Sequence, residues 1–201
     1  MKVAFIIYQG MTVLDFVGIY DPIIRLKTMS FMPELSWEIC AISPEVSDEN
    51  GLRLLPTKIN ESLQGYDLII VPGGVGAHLQ KLISTTHFIE WLRTAQSTPL
   101  KTSVCTGSLL LGEAGFLKGK KATTHPNAYN ELKKYCESVV PERIVDEGDV
   151  ITARGVTSSI DLGLYLCEKL AGSEVKEKIR QQIDYQQVIE EKNEHSTQLT
   201  K

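Results

Sequence analysis

Thr102-Ser103-Val104-Cys105-Thr106-Gly107-Ser108-Leu109-Leu110-Leu111-Gly112 reads as a short strand, Thr102 to Cys105, running straight into a helix, Thr106 to Ala114. This is the layout of a nucleophile elbow, in which a sharp strand-to-helix turn pushes one side chain out above a sheet edge. Gly107, two residues on, leaves room for the tight turn. The helix start brings backbone N–H groups and the positive end of the helix dipole beside the sulfur, which predicts a setting that favours thiolate. In this context Cys105 reads as a reactive thiol rather than as the buried packing residue that most cysteines are.

Outward from this stretch, apolar β-branched runs alternate with helical patterns. Val3 to Tyr8, Trp37 to Ser43, Asp67 to Val71 and Lys121 to Thr124 read as strands. Val13 to Met29 reads as a helix disturbed at Pro22, and Leu79 to Ala95, Asn127 to Tyr135, Ser158 to Leu170 and Ser173 to Glu190 as further helices. Asp48-Glu49-Asn50-Gly51 is a hairpin-type turn, and Val139–Val145 with Val150–Arg154 reads as a hairpin across Glu147-Gly148-Asp149. The alternation predicts an α/β fold: a mostly parallel sheet sandwiched by helices in a flavodoxin-like three-layer arrangement, with hairpins at one edge. No repeat or linker divides the chain, so residues 1–190 are expected to form one domain and 191–201 a polar, frayed tail.

The 201 residues are 42% hydrophobic and 23% charged with a formal net charge of −4, a soluble globular composition rather than a disordered one. A chain this long buries roughly 70% of its unfolded surface and needs no disulfide or metal staple. A pI near 5.6 gives no electrostatic reason to expect nucleic acid. The apolar run Leu68-Ile69-Ile70-Val71 is far shorter than the ~20 residues that cross a bilayer, and the N-terminus lacks a secretory pattern. A cytoplasmic location without membrane attachment is therefore expected. Cys40, Cys105, Cys136 and Cys167 lie far apart without C-x-x-C spacing, which argues against a zinc site and a disulfide framework.

Three further positions carry candidate chemistry. Pro72-Gly73-Gly74-Val75-Gly76 closes a parallel strand where open α/β sheets bind ligands, and glycines there let backbone N–H groups approach a ligand as an oxyanion hole requires. The Gly-Lys-Ser/Thr ending of a phosphate loop is absent. Asp15, in Val13-Leu14-Asp15-Phe16-Val17-Gly18, fits two readings: a helix cap, or a partly buried acid with a raised pKa facing the thiol. His125, in Thr123-Thr124-His125-Pro126, either orients or deprotonates a reacting group or is a hydrogen-bonded supporting histidine. The candidate catalytic set is Cys105, Asp15, Thr106 and His125. The candidate oxyanion and substrate-binding set is Gly73, Gly74, Val75 and Gly107, with no metal and no cofactor.

Through Asp15, Pro72-Gly73-Gly74, Val104-Cys105-Thr106-Gly107 and Lys120-Lys121-Ala122-Thr123-Thr124-His125, the chain resembles the ThiJ/PfpI superfamily, of class I glutamine amidotransferase-like fold, from Met1 to about Glu190. Leu14-Asp15-Phe16-Val17-Gly18 together with Cys105-Thr106-Gly107-Ser108-Leu109-Leu110-Leu111-Gly112 most resembles the isonitrile hydratases. That resemblance implies a cofactor-free hydro-lyase in which Cys105 adds to an isonitrile carbon, Asp15 handles the proton and water completes an N-substituted formamide. It also implies a small-molecule substrate and a homodimer.

Other branches supply alternatives. PfpI-type peptidases carry His directly after the cysteine, where this sequence has Thr106, which argues against proteolysis. A glutaminase triad needs a downstream His-x-Glu, and the region after Gly155 holds only His195, in Glu194-His195-Ser196. The glyoxalase/deglycase branch resembles Thr123-Thr124-His125-Pro126 but usually places Glu after the first strand. A redox-sensing stress protein using the same cysteine is a further alternative. Sensor domains of AraC-type regulators share the Cys-Thr-Gly segment but carry an added DNA-binding domain, for which this chain is expected to be too short.

Overall fold

In the computed structural model, which describes residues 1–186, strand and helix alternate along the chain. The strands are β1 (Lys2–Ile6), β2 (Ser36–Ala41), β3 (Val46–Ser47), β4 (Arg53–Leu54), β5 (Lys58–Ile59), β6 (Leu68–Val71), β7 (Leu100–Val104), β8 (Lys121–Ala122), β9 (Ser138–Val139), β10 (Ile144–Asp146) and β11 (Val150–Ala153). The helices are α1 (Val13–Thr28), α2 (Gly76–Ile83), α3 (Thr86–Arg93), α4 (Gly107–Glu113), α5 (Tyr129–Leu132), α6 (Ser158–Ala171) and α7 (Ser173–Gln182). Residues 191–201 and the expected helical stretch from 187 to 190 lie outside the described residues.

Seven strands form one sheet in the order β10-β11-β7-β6-β1-β2-β5, parallel throughout except for the β10–β11 hairpin at its edge. Helices α1, α6 and α7 pack together as one layer, and α2 to α5 as the other. The chain leaves β1 toward β2 on one side, and β6 continues to β7 on the other, so the order reverses between β1 and β6. In open parallel sheets a crevice forms at that point beyond the carboxyl ends of the strands. The three-layer architecture expected from the alternation is the one observed.

Both faces of the central strands are covered, which is why they lack polar alternation. Every residue of β6 and β7 is buried. Full burial of each Leu, Ile or Val contributes about 1.5–3 kcal/mol relative to exposure. Even Lys101 is covered: its Nζ donates to Thr98 O at 2.6 Å and lies 5.2 Å from the Phe116 ring centre. Phe5 of β1 meets Phe16 and Tyr20 of α1 at centroid distances of 6.0 and 5.1 Å, fixing that helix on the sheet.

Helix α1 spans the expected helix with Pro22 in its interior, and several other elements differ from the sequence expectation for local reasons. Gly163 of α6 leaves the space that the proline ring occupies: a Cβ there would lie 2.9 Å from Pro22 Cγ, and one on Gly18 would lie 2.1 Å from Ser159 Oγ. Close packing of α1 on α6 thus overrides the proline penalty. The expected helix Leu79–Ala95 divides into α2 and α3, because the Ser84 and Thr85 hydroxyls donate to the carbonyls of Gln80 and Lys81, four residues back.

Lys121–Thr124 shortens to β8, which pairs in parallel with β9 in a separate two-stranded sheet. Val139 therefore belongs to β9 rather than to the edge hairpin. Asn127–Tyr135 shortens to a 3₁₀ turn, Pro126–Ala128, followed by α5. The expected turn at Asp48 joins β3 to β4, with Asp48 Oδ1 accepting the Asn50 and Leu52 amides, each at 2.8 Å. No helix among the described residues is long and apolar enough to cross a membrane.

Candidate active site

Cys105 lies one residue beyond β7 with φ of +56°, in the left-handed region that a side chain with Cβ enters only at a cost of about 1–3 kcal/mol. The surroundings hold it there through both backbone groups. Its N–H donates to Ala153 O at 3.0 Å and Arg154 O at 2.7 Å. Its carbonyl accepts from Thr124 Oγ1 at 3.0 Å and Ser108 Oγ at 3.2 Å. Gly107 completes the elbow, since a Cβ there would lie 2.4 Å from Val71 O and 2.6 Å from Pro72 O. The expected strand-to-helix turn at Cys105 is present, and apart from Ser108 its clamp comes from segments distant in sequence.

Asp15, in the first turn of α1, is fully buried, and its Oδ2 accepts the Gly73 amide at 3.0 Å. Oδ1 is buried as well and has no hydrogen-bond partner among the described residues. Burial pushes the carboxyl up to about 7, against the Gly73 N–H and the Cys105 thiol, which both pull it down. Burial likewise pushes the Cys105 thiol up to about 12, aided by the Asp15 charge and opposed by the Thr106 amide. This corrects the expectation of a thiolate favoured by the helix start. Desolvation and a neighbouring carboxylate outweigh the dipole of the seven-residue α4. Both groups are held above their ordinary values, so the pair resists carrying two negative charges at once.

The Pro72–Gly74 loop is stitched to its neighbours at every turn. Gly73 O accepts the Thr12 amide at 2.8 Å. Gly74 N–H donates to Thr106 Oγ1 at 3.0 Å, and the Thr106 hydroxyl donates to Gly74 O at 2.5 Å. These bonds correct the reading of Gly73 and Gly74 as open oxyanion donors, since both amides already have acceptors within the protein. Gly73 and Gly107 also lie behind the cleft wall rather than on it. Each is glycine because neighbouring groups occupy the space of a side chain: at Gly73 a Cβ would lie 2.7 Å from Asp15 Oδ2 and 2.8 Å from Cys105 Cβ.

A cleft of about 400 Å³ opens above Cys105 and Thr106. Gly74, Val75, Leu79, Leu109, Ala128 and Val156 give it apolar walls, and His125, Asn127, Gln80 and Glu131 supply polar groups. Such a cavity suits a small, largely apolar molecule. His125 reaches it although β8 lies outside the main sheet, because residues 123–125 cross beneath the ends of β7 and β11: the Thr123 amide donates to Thr152 Oγ1 at 2.9 Å. His125 Nδ1 accepts the Asn127 amide at 3.3 Å, which assigns the proton of a neutral ring to Nε2. Across the cleft, Gln80 Nε2 donates to Glu131 Oε2 at 3.0 Å.

The structure therefore brings Asp15, Cys105, Thr106, His125, Gly74 and Val75 to one end of the sheet. Two participants went unread in the sequence. Thr124 holds the Cys105 carbonyl, and Tyr8, just beyond β1, is buried against Gly74 with its hydroxyl donating to Pro72 O at 2.9 Å. The other three cysteines pack elsewhere: Cys40 Sγ meets Tyr66 Oη, Cys136 Sγ meets Leu132 O and Cys167 Sγ meets Pro22 O. Among the described residues no three His, Cys, Asp or Glu side chains stand together to hold a metal ion.

Fold and site together define a three-layer α/β protein with a strained cysteine elbow facing a buried acid. The sequence matches the DJ-1/PfpI family over residues 1–169, and the chain belongs to that family. It is 34% identical over 187 residues to the isonitrile hydratase of Pseudomonas putida, covering 92% of this chain and 78% of that one. It is 29% identical over 183 residues to the HTH-type transcriptional regulator CdhR of Pseudomonas aeruginosa, covering 89% of this chain and 53% of the regulator. Among solved structures, a ThiJ/PfpI family protein from Pseudomonas syringae superposes with a TM-score of 0.83 at 29% identity, over 95% of this chain and 77% of that one. Drosophila melanogaster DJ-1beta shares the fold, with a TM-score of 0.77 at 20% identity, over 90% of this chain and 96% of that one.

Proposed function

We propose that the protein is a cofactor-free cysteine enzyme that hydrates an isonitrile to an N-substituted formamide. The observation that carries this reading is the buried Asp15 carboxyl set against the Cys105 thiol at the floor of a mostly apolar cleft. The identity with isonitrile hydratase over most of both chains supports the choice of substrate.

The chemistry follows from one proton shared by two groups. As Cys105 Sγ attacks the terminal isonitrile carbon, its proton passes to the Asp15 carboxylate. A C–S bond forms, one C–N π bond breaks with its electron pair passing to nitrogen, and the carbon keeps its own lone pair. Asp15 returns the proton to that carbon, giving a thioimidate. Water then adds to the same carbon with Asp15 as base, and the adduct collapses as the C–S bond breaks. The two water protons end on the substrate nitrogen and on Sγ, so the formamide leaves and the thiol is restored. Val75, Leu79, Leu109 and Val156 hold the substituent, and Thr106 keeps the Gly74 loop in place. His125 lines the wall with its Nε2–H as a donor toward bound substrate.

The test is formamide formation from a simple alkyl isonitrile, followed by proton NMR for wild type, Cys105→Ala and Asp15→Asn. Turnover by wild type alone supports the reading, and undiminished turnover by Cys105→Ala sinks it. A second reading, a ligand-sensing module, is favoured by the regulator relative, of which this chain spans about half. It requires binding of small ligands in the cleft without turnover of any of them. In the enzyme reading the protein works as a cytoplasmic homodimer without nucleic-acid or membrane partners, which light scattering and fractionation address. The half-exposed Leu14 and Val17 on α1 are consistent with a covered face.

A further inference from the structure

Tyr8 is 2% exposed and packs edge-on against Phe88 at a centroid distance of 5.8 Å. Its hydroxyl donates to Pro72 O at 2.9 Å, and Gly73 N–H donates to Asp15 Oδ2 at 3.0 Å. Those two groups, the carbonyl of Pro72 and the amide of Gly73, belong to one planar trans peptide, whose C=O and N–H point in opposite directions. Rotating that plane breaks both bonds together. On the far side of the loop, Thr12 and Thr106 hold Gly73 O and Gly74, so the Pro72–Gly73 plane has Tyr8 as its hydroxyl anchor.

We propose that Tyr8 is a positioning residue of the reaction, fixing the Pro72–Gly73 peptide plane so that its N–H stays aimed at the Asp15 carboxyl beside Cys105. This rests on the reading of Asp15 as the proton carrier, and it adds a residue that the cysteine, acid and glycine motifs do not include. The mechanism is electrostatic: the Gly73 N–H favours the carboxylate, and a hydrogen bond accepted by Pro72 O polarises the shared peptide and strengthens that donation. The titratable groups facing Asp15 are Cys105 at the end of β7 and Tyr8 after β1.

The test reads the Asp15 carboxyl directly, by ¹³C NMR titration of aspartate-labelled protein. Tyr8→Phe loosens the plane and is expected to move the Asp15 midpoint upward by ~0.5–1 pH unit. Replacing Tyr8 by 3-fluorotyrosine, a stronger donor of nearly the same shape, is expected to move it downward, and this arm decides the matter if Tyr8→Phe folds poorly. Tyr66→Phe removes a second buried tyrosine hydroxyl, which meets Cys40 rather than the loop, and should leave the midpoint in place. An unmoved midpoint in both Tyr8 variants, or an equal shift in Tyr66→Phe, overturns the proposal. With an isonitrile as substrate, the low-pH limb of kcat should follow the same shifts. If no isonitrile is turned over, the proposed reaction fails while the carboxyl titration still decides the role of Tyr8.

Discussion

Gly73 donates its amide to Asp15 Oδ2 over 3.0 Å, and a side-chain carbon on Gly73 would lie 2.7 Å from that same oxygen. The glycine therefore acts on the acid twice, by giving it a donor and by leaving it space. Gly73→Ala should displace the carboxyl and lose a hydrogen bond to a charged group, worth about 1.5–3 kcal/mol. Turnover of a test isonitrile should fall by at least ~10-fold. Activity equal to wild type would show that the contact does not position Asp15.

The pair sets the pH dependence. Asp15 must be ionised to accept the thiol proton, so activity should rise with pH through about 7 and hold well above it, since the thiol lies near 12. A pH–rate profile of kcat checks this. A profile that falls as pH rises through 7 would assign Asp15 the opposite role.

Stability should follow the same group with a definite sign. The folded-state pKa of Asp15 is raised from 3.8 to about 7, so its favourable contribution is complete below about pH 4 and is lost as pH rises through 7. Asp15→Asn has no charge to bury. It should melt above wild type at pH 8, by up to ~4 kcal/mol, and the gap should close as pH falls from about 7 to about 4. Thermal melts across that range decide the sign.

The elbow makes a prediction about strain. With φ held at +56°, Cys105→Ala keeps the steric cost of a Cβ, whereas Cys105→Gly removes it. Both should be inactive, and the glycine variant should be the more stable by ~1 kcal/mol in denaturant unfolding. Equal stabilities would mean that the backbone relaxes once the sulfur is gone.

Packing of α1 on α6 can be tested away from the site. Gly163→Ala would place a carbon 2.9 Å from Pro22 Cγ and 3.2 Å from Gly18 O. A destabilisation of ~1–3 kcal/mol is expected, read from the melting curve, with the midpoint of the pH–rate profile unchanged.

Cys105, Asp15 and the Gly73-Gly74 loop were legible because short-range pattern reveals them: a strand meeting a helix, a lone acid among apolar residues, glycines after a buried run. The main sheet was legible for the same reason. Where the reading failed, a distant contact outweighed the local signal. Lys121–Thr124 leaves the main sheet because its partner is β9, and the same pairing takes Val139 out of the edge hairpin.

The sequence by itself determined the class of fold, the elbow and the identity of the cysteine and acid, since these depend on periodicity and on residue type. The tertiary structure alone decided their electrical state and their supports. Desolvation depends on what surrounds a group in three dimensions, so the raised thiol of Cys105 could not be read from neighbours in the chain, and the raised acid of Asp15 stood there only as one of two readings. The same holds for the hydrogen bonds that occupy the Gly73 and Gly74 amides, and for Tyr8, whose partner Pro72 is 64 residues away.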